Sequence, residues 1–98
     1  MILEVADLRI DPAKKAEFEI AIEQGVRDVV SKSPGFMSFK IQRGIENPGR
    51  YLLMIQWDSL ENHMVGFRES PAFAQWRAIV GPFFVAPVAM EHFEFLAE

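Results

Sequence analysis

Three of the segments that read as strands carry apolar side chains on both parities, and no other feature limits the folds open to this chain as much. In residues 2–10, ILEVADLRI, the residues Ile2, Ala6, Leu8 and Ile10 alternate against Leu3 and Val5. In residues 50–57, RYLLMIQW, the set Tyr51, Leu53, Ile55 and Trp57 opposes Leu52 and Met54. The closing strand, expected over Val88 to Leu96, sets Val88, Met90 and Leu96 with His92 against Ala89, Phe93 and Phe95. A strand covered on one face shows an apolar and a polar parity, so these predict a sheet covered on both faces. A fourth strand is expected over Phe36 to Arg43, joined to its neighbour through Glu46-Asn47-Pro48-Gly49, whose Pro-Gly pair suits the centre of a type II turn.

Helical signals separate the strands. Asp11-Pro12 supplies an N-cap and a first helical residue, and a stripe of Phe18, Ile22, Val26 and Val29 runs to about Lys32, where Ser33-Pro34-Gly35 ends it. Asp58 and Glu61 read as a capping box for a helix with the stripe Leu60, Met64 and Phe67, and His63 points with that stripe. Ser70-Pro71 starts a second short helix with the stripe Phe73, Trp76 and Val80. The order strand, helix, strand, strand, helix, strand predicts an α+β, ferredoxin-like βαββαβ fold, a four-stranded antiparallel sheet with both helical segments on one face. Residues 1–98 are expected to form one domain. The other sheet face would be a large bare apolar patch, so two copies are expected to pack sheet to sheet as a homodimer.

Composition narrows the function. The chain is 50% hydrophobic with nine Phe, more apolar surface than one small domain readily hides. The net charge of −4, with scattered Lys and Arg, gives no footing for nucleic acid or an anionic membrane. Without cysteine there is no thiolate chemistry, and two histidines with no clustered spacing predict no metal site. The longest apolar run, Ala78 to Met90, contains Pro82 and Pro87 and is too short to span a bilayer. Met1-Ile2-Leu3 runs into a strand without a basic leader, so a cytoplasmic location is expected. No glycine-rich phosphate loop follows a strand, and no serine occupies a strand-to-helix elbow.

His63 is the leading candidate for a general base, since an unperturbed imidazole accepts protons near neutrality; the plainer reading is a buried group satisfied by a backbone carbonyl. Arg68 is a candidate for stabilising an anionic oxygen, or a surface partner of Glu69 or Glu61. Trp57, Phe67, Phe73, Trp76, Phe83 and Phe84 have the character to wall a pocket for a flat ligand, though aromatic stripes more often belong to the core. His92, beside Glu91, is either a second polar pocket group or part of the dimer rim. Tyr51 is expected to be peripheral and Asn62 to face solvent.

Nearly the whole chain resembles the antibiotic biosynthesis monooxygenase superfamily of dimeric α+β barrels. The resemblance is carried by W-D-S-L-E-N-H (Trp57 to His63), G-F-R-x-S (Gly66 to Ser70), F-x-x-W (Phe73 to Trp76) and P-V-x-M-E-H-F (Pro87 to Phe93). It implies a pocket between sheet and helices and, in some members, oxidation of phenols or quinols by O₂ with no flavin, metal or haem. On that pattern His63 is the proton acceptor, Arg68 or His92 the donor to a developing oxyanion, and Trp57, Phe67, Phe73, Trp76, Phe83 and His92 the substrate contacts. Other members degrade haem with an axial histidine whose place falls near Arg77, which cannot ligate iron. The implied function is a cofactor-independent monooxygenase for a small aromatic, phenolic or quinol-like substrate. The alternatives are a non-catalytic binding barrel and an isomerase of the same superfamily.

Overall fold

The computed structural model describes residues 1–98. Four strands, β1 (Ile2–Arg9), β2 (Phe36–Arg43), β3 (Arg50–Trp57) and β4 (Ala89–Glu94), form one antiparallel sheet in the order β2-β3-β1-β4. Helices α1 (Lys15–Asp28) and α2 (Pro71–Val80) pack on one face, as the alternation of elements predicts. No helix is long and apolar enough to cross a membrane.

The α1 start follows its sequence signal. Asp11 accepts a bond from the Ala13 N–H at 3.0 Å, and Pro12 opens a short 3₁₀ turn that leads into the helix. Its buried stripe is Phe18, Ile22 and Val26, continued by Val30 and not Val29, because α1 ends at Asp28 and a 3₁₀ turn over Val30–Lys32 shifts the phase. The core between helices and sheet contains Ala6, Leu8 and Ile10 with Tyr51, Leu53, Ile55 and Trp57, the helix-facing parities of the two central strands. Tyr51 is not peripheral: it is 1% exposed, its ring meets Phe18 at 5.0 Å, and its hydroxyl donates to Glu19 Oε2 at 2.6 Å. On the opposite face lie Leu3, Val5, Leu52, Met54 and Phe93.

Two turns differ from expectation. The β2–β3 turn is not type II, since Gly49 has no positive φ. Instead Arg50 N–H closes on Asn47 O, and Asn47 Oδ1 accepts from Gly49 N–H at 3.1 Å, an Asx arrangement that leaves the glycine in ordinary backbone space. The residue that does need glycine's freedom is Gly35, at φ 88°, in the stop after α1. Its carbonyl accepts from Asp58 N–H at 2.7 Å, and a Cβ there would overlap the Asn62 side chain. Asn62 thus packs inward against this turn, with Oδ1 accepting from Ser59 Oγ at 2.7 Å, and does not face solvent freely. Gly35→Ala is expected to lower stability by about 2 kcal/mol through backbone strain and that overlap, measured as a lower urea midpoint with unchanged slope.

Candidate active site

The segment after β3 does not form the regular helix that its apolar spacing suggests. The cap is Ser59 and not Asp58: Ser59 Oγ accepts from Asn62 N–H at 3.1 Å. Residues Asn62–Phe67 then coil as a π-helix, in which Arg68 N–H donates to His63 O. The wider coil changes which side chains turn inward. Leu60 and Met64, expected on the buried stripe, are exposed, whereas His63 at 2% and Phe67 at 3% are buried. It also carries Arg68, one residue past the expected stripe, to the same cavity as His63.

That cavity, about 570 Å³, lies between the sheet and α2 and is lined by Glu4, Ala6, Leu8, Leu53, Val88 and Met90 from the sheet side. The helical side contributes His63, Phe67, Arg68, Phe73, Trp76 and Arg77, and the linker before β4 contributes Phe84 and Pro87. Of the aromatics with the character to wall a pocket, Phe67, Phe73, Trp76 and Phe84 do so. Trp57 does not: fully buried at the end of β3, it stacks on the His63 ring at 5.1 Å and forms the layer behind it. Phe83 also turns away, packing edge-on against Phe18 at 5.5 Å, and its neighbour Phe84 takes the lining position. His92 is reached through His63 and is not itself part of the wall.

The polar centre of the cavity is a residue that the sequence reading passed over. Glu4 sits on the helix-facing parity of β1, between Ile2 and Ala6, and is 6% exposed. Its cross-strand neighbour on β4 is His92. Trp57 Nε1–H donates to Glu4 Oε1 at 2.9 Å, His63 Nε2 stands 3.3 Å from the same oxygen, and His63 Nδ1 meets His92 Nε2 at 2.7 Å. Trp57 Nε1–H is the donor to Oε1, His63 Nε2 lies against the same oxygen without hydrogen-bond geometry, and one proton is shared between His63 Nδ1 and His92 Nε2. No protein group donates to the other oxygen, Oε2, although no fully buried polar side-chain atom lacks a partner, so Oε2 keeps an open approach.

Burial pushes the Glu4 carboxyl up to about 7, against the Trp57 hydrogen bond and the Arg68 charge, which lower it. Burial, then the neighbouring His92 and Arg68, brings His63 down to about 4, and His92 is lowered by burial and Arg68. The 3.3 Å contact between His63 and Glu4 therefore sets a neutral ring, not an imidazolium, beside the carboxyl near neutral pH, although it lies within ion-pair distance. The expectation of an unperturbed imidazole gives way to a carboxyl poised at neutrality with a neutral histidine behind it. No group of three or more His, Asp or Glu side chains is arranged to hold a metal ion.

An antiparallel four-stranded sheet with its helices packed on one face defines a ferredoxin-like α+β fold. The chain belongs to the antibiotic biosynthesis monooxygenase family, whose model matches residues 1–79. A Bordetella bronchiseptica protein assigned to that family is 33% identical and superposes with a TM-score of 0.91, with 98% of this chain and 97% of the other covered. The Bacillus subtilis (strain 168) protein YczJ, itself uncharacterized, is 32% identical over 94 residues, spanning 96% of this chain and 98% of its own. SnoaB of Streptomyces nogalater, a cofactor-independent oxygenase, shares the fold at 15% identity with a TM-score of 0.82, covering 99% and 94% of the two chains.

The shifted carboxyl has a thermodynamic signature. Native Glu4 holds its proton between the ordinary value of 4.5 and about 7, where the unfolded chain has released it, so its contribution lowers stability as pH rises through that window. His63 acts with the opposite slope between about 4 and 6.5, so the two partly cancel in the wild type. Comparing Glu4→Gln with wild type isolates the carboxyl. The variant is expected to be about 3 kcal/mol more stable at pH 8 and no more stable at pH 4, measured by urea unfolding.

Proposed function

We propose that the protein is a cofactor-independent monooxygenase that oxidises a flat phenolic or quinol-like aromatic with O₂. The observation that carries this reading is Glu4 Oε2, a carboxylate oxygen with no protein partner, held in an aromatic-walled cavity at a pKa near neutrality. Family membership supports the reaction class, and the likeness to a cofactor-independent oxygenase supports the absence of a flavin or metal in it.

In this scheme Glu4 takes the phenolic proton, and His63, the candidate from the sequence, acts through Glu4 by holding its ring 3.3 Å from Oε1. The phenolate passes one electron to O₂, and the resulting phenoxyl radical and superoxide join through a new C–O bond. Glu4 returns its proton to that peroxide. It then removes the proton from the oxygenated carbon as the O–O bond breaks, leaving a quinone carbonyl, and the departing hydroxide recovers the proton as water. The balance is phenol plus O₂ giving quinone plus water. Arg68, whose charge reaches Glu4, His63 and His92, stabilises the phenolate and peroxide. Phe67, Phe73 and Trp76 hold the ring plane and exclude water.

A second reading, a non-catalytic binding barrel, is favoured by one feature: His63 Nδ1 is already bonded to His92 and Nε2 faces the Glu4 carboxyl, both within the protein. An isomerase would use the same carboxylate without O₂. An oxygen electrode with a panel of polycyclic phenols separates the three. The monooxygenase consumes O₂ with kcat/KM rising to a plateau above about pH 7, and Glu4→Gln lowers kcat by about 100-fold or more while ligand affinity changes little. His63→Ala is expected to lose most turnover with a modest loss of affinity. Identical products with and without O₂ would exclude oxygenation, and binding without turnover would leave the barrel.

We also propose that two copies pair through the sheet face bearing Leu3, Val5, Leu52, Met54 and Phe93. Phe93 is 47% exposed on that face. Sedimentation is expected to give a mass of two subunits at micromolar concentration, and Phe93→Glu to give one.

A further inference from the structure

The chain has six arginines, and their partners divide them sharply. Arg9 and Arg50 pair with Asp7, Arg27 with Glu23 and Arg43 with Glu19, all at 3.1 Å or less. Arg68 and Arg77 have no carboxylate partner, and they are the two that line the cavity. Acid is not scarce, since the chain carries −4, and Glu69 and Glu61 lie close to Arg68 in sequence without pairing with it. Each of the two guanidiniums lies over a ring of the same cavity wall: Arg68 Cζ stands 5.1 Å from the Phe73 centroid and Arg77 Cζ 5.6 Å from that of Phe84. The ring contacts fix both charges on the rim while leaving their N–H groups unused.

The two do not act on the same groups. Arg68 acts on Glu4, His63 and His92, and Arg77 contributes to none of their shifts. Arg77 stands at the start of the last turn of α2, over the Phe84 ring. We infer that the ligand is an aromatic carboxylate, its ring among Phe67, Phe73 and Trp76, its hydroxyl toward Glu4 and Arg68, and its carboxylate on the guanidinium of Arg77. The hydroxyl end of this assignment rests on the proposed oxygenation, while the carboxylate end rests on Arg77 alone.

A matched pair of probes tests it: 6-hydroxy-2-naphthoate, with its hydroxyl and carboxylate at opposite ends of a flat bicycle, and the neutral 6-hydroxy-2-naphthamide. Kd values are measured anaerobically at pH 8 by titration calorimetry on the full chain, so that no turnover enters the readout. The acid is expected to bind about tenfold or more tightly than the amide, with the preference shrinking as salt is raised. Arg77→Gln should bring the two affinities together by weakening the acid alone, and Arg77→Lys should restore part of the gap. Equal affinity for acid and amide in the wild type, failure of both to bind at millimolar concentration, or an undiminished preference in Arg77→Gln overturns the inference. A clear acid preference in a protein that consumes no O₂ would retain the carboxylate site and remove only the oxygenation reading.

Discussion

A carboxyl group inside a small apolar core is expensive unless its charge or its proton is provided for, and the surroundings of Glu4 meet that demand. Its one donor, Trp57, and the His63 ring beside it are themselves core pieces. Trp57 reaches Oε1 from the neighbouring strand, where the register sets Ile2 opposite Trp57 and Glu4 opposite Ile55, so the indole crosses the ladder on a diagonal. His63 arrives from the helical layer and packs in a three-ring cluster, stacked on Trp57 at 5.1 Å and on Phe67 at 6.2 Å, with those two rings 5.8 Å from each other. The aromatic packing that fills the core thus also aims the polar atoms. Because both side chains meet the carboxyl at Oε1, the asymmetry that leaves Oε2 available follows from packing.

The π-helix is what joins this cluster to a cavity. An α-helical segment with the stripe Leu60, Met64 and Phe67 would bury Met64 and send Arg68 to the far side. The wider turn instead sends Leu60 and Met64 outward, keeps His63 and Phe67 buried, and sets Arg68 on the cavity rim. Ser59 bonding to Asn62, and Asn62 seated against the open Cα of Gly35, hold the start of that coil to the turn after α1. The stop signal of one helix therefore supports the geometry of the next.

Much of this was legible in the chain. Asp11-Pro12, Ser33-Pro34-Gly35 and Ser70-Pro71 each mark a boundary through local backbone chemistry, and the strand parities gave the sheet and its helix-facing residues. The π turn was not legible, since no single residue demands it and the hydrophobic spacing there fits an ordinary helix equally well. Glu4 carried a signal that went unread. In Ile2, Glu4, Ala6, Leu8 and Ile10 it is the one charged residue on a parity otherwise bound for the core, and a lone carboxylate there implies a polar partner or a shifted pKa. Trp57 and Phe83 were assigned to the wall because sequence reveals aromatic character but not which side of a packed layer a ring presents.

The placement of the two unpaired arginines follows from the same constraint that governs Glu4. A guanidinium sunk beside the carboxyl would form a buried ion pair and hold the carboxyl far below neutrality, removing its capacity to take a proton at pH 7. At the rim, over Phe73 and Phe84, each cation stays hydrated, costs little, and tempers the carboxyl only through Arg68. An anionic ligand that displaces this water would bring its own counter-charge to the arginines, so the desolvation falls on a pair and not on a single ion. The cavity is in this sense divided, with proton exchange at the sheet and charge recognition at the mouth, and the separation keeps the second from suppressing the first.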